Sequence, residues 1–351
     1  MLPEKDISAI REELDDCKRP LFFFHDDADG LGSFLLFYRY KGEGKGVIIK
    51  TTPRIDGKFV RKVTEYGPDK VFILDIAMVE QDFLDEMKKL GLPVVWIDHH
   101  APLQRDGAIY FNPRKNNPKD DSCITKICYE VVKEKNEDDL WIAMIGVVGD
   151  WQRPDFWDDF IKKYPDLLDE NIKKPEDALF NSKVGELVRI FSFVLKGKTD
   201  DVIKCMKILT RIKDPYEILS QTTPAGRFIY KRYFDIKDSY DDLIKNAEKI
   251  IKKEKSRMFV FIYKDVKYSF SSEIANELIY RYPKYVIFIG REKSGEIKYS
   301  VRAKDLVLPK LIDKALEGVE GFGGGHEYAC GAVIKEKDNK RFLEQFMKAL
   351  E

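Results

Sequence analysis

LFFFHDDADGLGSFLLFYRYK, residues 21–41, sets the class of fold. A short apolar run breaks into polar residues at His25, and an apolar pattern of helical spacing follows from Gly30. VIIKT (47–51), VFILD (71–75) and VVWID (94–98) repeat the format, each a buried-strand pattern followed by polar or helix-compatible sequence. Strand, polar edge, helix, strand predicts a mostly parallel α/β sheet, and ligands of such sheets lie beyond the carboxyl ends of the strands. The unusual polar clusters of this half all fall at those ends.

Outward from that half, the pattern changes near residue 156. Proline and acidic breaks (RPDFWDDF, KYPDLLDE, KKPEDA) lead into long helical patterns through VGELVRIFSFVL and SYDDLIKNAEKIIKKEKSR. From 258 the α/β pattern returns with MFVFIY, YVIFIG and IKYSVRA, then a helix pattern, the glycine cluster GFGGGH, the strand-like CGAVI and a final helix. The expected organisation is an N-terminal domain over 1–155, a helical connector over 156–255 and a smaller α/β domain over 256–351.

The composition narrows the class. With 351 residues, 44% hydrophobic and 35% charged, the chain has the profile of a soluble globular protein. No apolar run approaches the roughly 18–20 residues of a membrane span, and the charged N-terminus MLPEKDISAIREEL does not read as a secretory signal, so a cytoplasmic protein without membrane partners is expected. Cys17, Cys123, Cys128, Cys205 and Cys330 form no CxxC pair and read as reduced, mostly buried thiols. Lys and Glu dominate the charged residues, a weak hyperthermophile-like bias. The 61 basic residues balance 61 acidic ones, whereas a protein that grips long duplex DNA by neutralising phosphates is usually basic. Any nucleic-acid contact is expected to be local, short or organised by bound metal ions.

The chain has only four histidines, His25, His99, His100 and His326, all at predicted strand ends or in the glycine cluster. In HDDADG (25–30), alternation along an extended segment would turn His25, Asp27 and Asp29 to one site, with Gly30 allowing the turn into a helix. A calcium loop of EF-hand type fails, because it needs Asp at position 25 and Glu at position 36, where His and Leu stand. A solvated acidic turn stays open. Asp75 ends one strand pattern, and Asp98-His99-His100 end another, where adjacent histidines pointing to opposite sides would let one bind metal and the other face substrate. Gly149-Asp150 follow the apolar helix candidate WIAMIGVVGD, and a buried Asp there needs a partner such as a metal. Imidazoles and carboxylates without thiolates suit manganese, magnesium or zinc, and two cations about 3.5–4 Å apart can clamp an in-line phosphoryl displacement. Gly323, Gly324 and Gly325 read either as an anion-binding nest with His326 beside it or as a flexible hinge. Ser300 and Arg302 could hold a phosphate or a terminal nucleotide.

Together these residues resemble the DHH phosphoesterase superfamily. HDDADG at 25–30, Asp75 in LDIA, DHH at 98–100 and GD at 149–150 follow its metal motifs in order. GGGH at 323–326, with SxR at 300–302, resembles the DHH-associated C-terminal domain. The resemblance covers roughly 20–155 and 256–351, and implies an active site in the cleft between the two domains, with room for a strand but not a duplex. It implies that His25 and Asp27 bind one divalent ion, Asp29, His99 and Asp150 a second, and Asp75 both; the ions would be Mn2+ first, with Mg2+ or Zn2+ as alternatives. His100, Arg302 and His326 would hold phosphate, with Ser300 and Gly323 to Gly325 beside them, and Asp98 would orient a histidine.

Within the superfamily, the first motif and FNPRKNN (111–117) look RecJ-like, close to an archaeal single-strand exonuclease, with 3′→5′ polarity favoured by likeness to short archaeal members. His25 stands where bacterial RecJ usually has Asp. The expected function is therefore metal-dependent hydrolysis of single-stranded DNA or RNA. The runner-up is a nanoRNase or small-nucleotide phosphoesterase acting on pAp or linear dinucleotides; a non-catalytic replication scaffold of the Cdc45 type and a family II pyrophosphatase fit less well. A helicase or other replication or repair protein docking on the connector, and a homo-oligomer, are compatible partners.

Overall fold

Phe22, Phe23 and Phe24 are fully buried, as a strand must be when helices cover both faces of its sheet. They lie in β1 (Pro20–His25) of a computed structural model that describes residues 1–50, 54–264 and 267–350. Side chains alternate between faces along a strand. Phe24 stacks on Phe34 of α1 (Ala28–Lys41) with centroids 4.8 Å apart, and Phe22 meets the same ring edge-on at 5.8 Å. Phe23 turns the other way, edge-on to Phe59 and Phe83 at 5.9 Å each. Each such ring contributes about 1.5–3 kcal/mol by burial, so both faces anchor β1 at the centre of the fold.

Around it stand β2 (Lys45–Ile49), β3 (Lys70–Leu74), β4 (Val94–Ile97) and β5 (Ile109–Phe111), in the order β2-β1-β3-β4-β5. Every neighbouring pair is parallel, so the five strands end along one edge, and the expected parallel α/β sheet is present. β2 begins and ends two residues ahead of the sequence reading; Thr51 lies outside the described residues.

Two further helices close this half, α2 (Ile124–Val132) and α3 (Leu140–Gly149). α3 is buried from Leu140 to Val148, which explains why its sequence is apolar all round rather than striped. It packs on α1, α2 and α4 (Lys183–Val194), where Trp141 meets Phe191 edge-on at 5.9 Å. The helices from Trp157 to Tyr233 thus belong to the compact unit Met1–Tyr233, and the second unit is Phe234–Glu351. The boundary falls inside one helix, α5 (Pro224–Ile251). Among the described residues, no helix is long and apolar enough to cross a membrane.

The second unit is built on β6 (Met258–Tyr263), β7 (Val286–Lys293), β8 (Glu296–Arg302), β9 (Gly321–His326) and β10 (Ala329–Lys335), in the order β9-β10-β8-β7-β6. β6 and β7 are parallel and the other pairs antiparallel. α6 (Ser271–Arg281) packs on β7 and β8. Tyr299, Val301, Ala332 and Ile334 form a core with Ile312 of α7 (Pro309–Ala315) and with Phe342 and Phe346 of α8 (Asn339–Leu350).

GFGGGH corrects the sequence reading. It is neither a nest nor a hinge but the edge strand β9, paired with β10 from Gly321↔Ile334 to His326↔Ala329. Glycines have low strand preference, yet here the backbone ladder to an alternating, half-buried neighbour supplies the order that their side chains cannot.

Candidate metal centre

β1, β3 and β4 are neighbours in a parallel sheet, so His25, Asp75 and the Asp98–His100 segment meet at one edge. The local structure departs from an extended HDDADG. The helix begins at Ala28, and Asp27 is its N-cap, with Oδ1 accepting from Gly30 N at 2.8 Å. A Cβ at Gly30 would lie 2.4 Å from His25 O, so only glycine lets the strand end and the helix start approach this closely. Asp29 consequently sits in the first helical turn, buried, where its two oxygens accept from Ile124 N (2.9 Å) and Thr125 N (2.7 Å) at the start of α2. Free amides at a helix N-terminus hold a carboxylate well.

Asp75 occupies the centre. Its backbone lies in the left-handed region (φ 56), rare for a residue with a side chain, and its N–H bonds Ile97 O at 3.0 Å. Asp75 Oδ2 stands 3.2 Å from His25 Nδ1, and Oδ1 stands 3.4 Å from His99 Nε2. His25 Nδ1 also reaches Asp27 Oδ2 at 2.8 Å. His99 Nδ1 lies 2.9 Å from Asp121 O and 3.8 Å from Asp150 Oδ2. Asp150 caps the C-terminal end of α3 and accepts from Gln152 Nε2 at 3.1 Å.

The two histidines of DHH do not point to opposite sides, as an extended segment would require. β4 ends at Ile97, and beyond it the rings pack edge-on, centroids 4.8 Å apart, both near Asp75. His100 is the one that Asp98 orients: Asp98 Oδ1 lies 2.8 Å from His100 Nδ1, and Oδ2 accepts from His100 N at 3.0 Å. Asp98 is fully buried. Asn112 Nδ2 donates to His100 O at 3.0 Å and to the Tyr110 hydroxyl at 2.8 Å, closing the support.

The electrostatics are those of a site short of positive charge. Burial, then the neighbouring Asp75, pushes the Asp29 carboxyl up to about 7. Burial pushes Asp150 well above the usual carboxylate range as well, with His99 opposing and Asp29 and Asp75 reinforcing. Burial would raise Asp75 too, but His25 and His99 beside it hold it well below that range. Both imidazoles are raised well above their ordinary value, because the carboxylates around them outweigh burial. Buried carboxylates in excess of their protein counter-charges, with oxygen and imidazole donors, match the requirements of hard divalent cations. Donor atoms of His25, Asp27 and Asp75 lie within 4.8 Å of one another, as do those of Asp75, His99 and His100, so Asp75 belongs to both groups.

A third group joins Asp29 and Asp150 to Cys123, which reads from sequence only as a buried thiol. That thiol is pushed well above the ordinary value by burial, then by Asp29 and Asp150. Asn112 and Gln152 also escape the sequence reading; FNPRKNN following DHH is the available signal for the first, and GDWQ for the second.

In the second unit, Ser300 and Arg302 lie two residues apart on β8, and Arg302 pairs with Ala329, which in turn pairs with His326. Arg302 donates through Nε to Asn276 Oδ1 at 2.7 Å and through Nη2 to Ser272 Oγ at 2.9 Å, both on α6. Burial pulls its pKa down to about 10. Ser300, Arg302 and His326 therefore share one face of the sheet, while Gly323 and Gly325 belong to the opposite register.

Comparison with known proteins agrees with this architecture. Residues 21–147 match the model of the DHH family, N-terminal domain, and residues 255–351 match that of the DHHA1 domain. No curated protein matches the chain in sequence. RecJ from Thermus thermophilus in complex with Mn2+ superposes with a TM-score of 0.73 at 14% identity, covering 99% of this chain and 55% of that one. An exonuclease RecJ bound to manganese gives 0.63 at 14% identity, with 98% and 93% covered. The DHH domain of a member of the s1p family of ribosomal proteins gives 0.67 at 16% identity, with 99% and 89% covered. The chain thus spans about half the length of the Thermus protein. With both domain models matched in order and their motif residues gathered at one sheet edge and one sheet face, the chain belongs to the DHH superfamily.

Proposed function

We propose that this protein hydrolyses phosphodiester bonds in single-stranded DNA or RNA as an exonuclease, in the 3′→5′ direction. The observation that carries the reading is Asp75, shared between two clusters of imidazole and carboxylate donors at adjacent strand ends. His25, Asp27 and Asp75 would hold one divalent ion, and Asp29, Asp75, His99 and Asp150 a second, Mn2+ or Mg2+ by donor chemistry. When bound, such ions polarise a phosphoryl oxygen and acidify water. One fold neighbour is an exonuclease RecJ bound to manganese, which agrees with this choice without deciding it.

The protein's own groups have separate tasks. His100, oriented by Asp98, would present its other ring nitrogen to a non-bridging phosphate oxygen. Arg302 keeps its guanidinium aligned through Ser272 and Asn276, and with Ser300 and His326 it would neutralise a phosphate on the second unit. Gly324 leaves that face without a side chain.

Incubation with Mn2+ and end-labelled single-stranded DNA and RNA, from dinucleotides upward, tests the reading. Stepwise shortening of long strands from one end is the expected result, with the labelled end giving polarity. The balance of 61 basic and 61 acidic residues favours a second reading, hydrolysis of very short oligonucleotides. Cleavage confined to the shortest substrates would select it. No cleavage with Mn2+, Mg2+ or Zn2+ would refute both.

A further inference from the structure

Gln152 lies two residues beyond Asp150, and its side-chain amide makes three hydrogen bonds. Oε1 accepts from Cys123 N at 3.1 Å, while Nε2 donates to Asp121 O at 2.6 Å and to Asp150 Oδ2 at 3.1 Å. A backbone N–H only donates and a carbonyl only accepts, so these partners fix which end of the amide is oxygen.

Each partner leads to a different ligand of one ion site. Asp150 is itself assigned to the second ion. Asp121 O lies 2.9 Å from His99 Nδ1. Because that oxygen only accepts, Nδ1 carries the proton, and Nε2 keeps its lone pair towards Asp75, 3.4 Å away. Cys123 is the N-cap of α2, and the next two amides, Ile124 N and Thr125 N, hold the Asp29 carboxylate at 2.9 and 2.7 Å. Asp29, His99 and Asp150 come from α1, the segment after β4 and the end of α3, yet one amide ties their supports together. His25 and Asp27, assigned to the first ion, are held elsewhere: Asp27 by Gly30 N, and His25 by Asp27 and Asp75. All of these residues belong to the unit Met1–Tyr233.

The backbone is bent to bring Gln152 to this place. α3 finishes with Gln152 N bonded to Val147 O and Trp151 N to Val148 O, both at 3.0 Å, the paired bonds of a helix end whose next residue is left-handed. Trp151 takes that left-handed position at φ 59, where glycine is usual. Its ring meets Phe180 of the helix Pro175–Asn181 edge-on at 5.7 Å, which helps to hold it there. A disfavoured conformation kept beside a ligand-bearing residue points to a role for the turn.

Resting on the two-ion reading above, we propose that Gln152 is the positioning residue of the second ion site. Its amide sets Asp150, the tautomer of His99 and the start of α2 that holds Asp29 in one arrangement, so the second site is supported as a unit and the first is not. Partners that orient metal ligands in this way contribute about 10–100-fold to metal affinity.

Calorimetric titration of Mn2+ into the full chain and into Gln152→Met tests this, since methionine keeps the length of the side chain and removes all three hydrogen bonds. The parent is expected to bind two ions, and the variant to bind one of them about 10–100-fold more weakly while sparing the other. Two further backgrounds identify the ion that is lost. In Asp27→Asn, which weakens the first site and keeps a capping oxygen, adding Gln152→Met weakens the ion that remains. In Asp150→Asn, adding Gln152→Met leaves the remaining ion unchanged. Urea unfolding of each metal-free chain shows whether the fold is kept. If the methionine variant does not fold, Gln152→Asn takes its place; it retains an amide, draws it back by one methylene from the three partners, and is expected to weaken the same ion. Equal weakening of both ions, unchanged affinity for both, or a lower unfolding midpoint with metal binding intact would overturn the positioning role and leave the two-ion reading standing. A parent chain that binds one ion or none overturns both, and does so before any variant is made.

Discussion

Asp98 carries no donor atom in either cluster that Asp75 joins, yet it is the fully buried carboxylate of the DHH segment, and both of its oxygens meet His100, with Oδ2 also accepting from Asn112 Nδ2 at 3.4 Å. A buried charge is retained at such cost when it fixes a ring's tautomer and direction. Asp98→Asn keeps the shape but supplies an amide in place of an acceptor pair. Its expected effect is a loss of about 10–100-fold in kcat/KM, with Mn2+ affinity nearly unchanged; a variant that lost metal in proportion to activity would place Asp98 among the ligands. Residue types and order make most of this site legible in the sequence, since His, Asp and Gly at strand ends have few structural uses in such company. Directions are less legible. The reading of 98–100 as extended fails because β4 stops at Ile97, and strand length is set by pairing with β3 and β5 rather than by the segment's own residues.

Among the elements, the turn from β1 into α1 decides whether Asp27 and Asp29 arrive at all. Gly30→Ala would push a methyl group to 2.4 Å from the His25 carbonyl, and either the strand end or the first helical turn must move. The expected cost is about 1–3 kcal/mol of stability together with weaker metal binding, measurable by urea unfolding with and without Mn2+. An unaltered unfolding midpoint would mean that the close approach is not a constraint. Helix and strand patterns are largely visible in the sequence, LFFFH and WIAMIGVVGD being plain apolar runs. GFGGGH is not visible as a strand, because glycine has no side-chain pattern to read; its order comes from the partner strand, where Ala329 to Lys335 alternate between buried and more open positions.

For the molecule as a whole, two compact units divide the chemistry: acidic donors gather in Met1–Tyr233, and the arginine, serine and histidine proposed for phosphate lie in Phe234–Glu351. Zero net charge fits this division, because bound cations would supply the attraction for phosphate that surface lysines supply in basic nucleases. The middle of the chain is helical, as the sequence reads, and the helices from Trp157 to Tyr233 group with the first unit, where Phe191 packs against Trp141. Sequence periodicity shows that a helix has an apolar face and does not show which neighbour will cover it. Whether Asp75 joins two cation sites is decided by calorimetric titration of Mn2+ into the metal-free chain and into Asp75→Ala, with phosphodiester hydrolysis measured on the same samples. The parent is expected to bind two ions, and the variant to lose at least one and to hydrolyse more slowly by on the order of 10³-fold or more. A variant that still bound two ions and hydrolysed at the parent's rate would show that Asp75 bridges nothing.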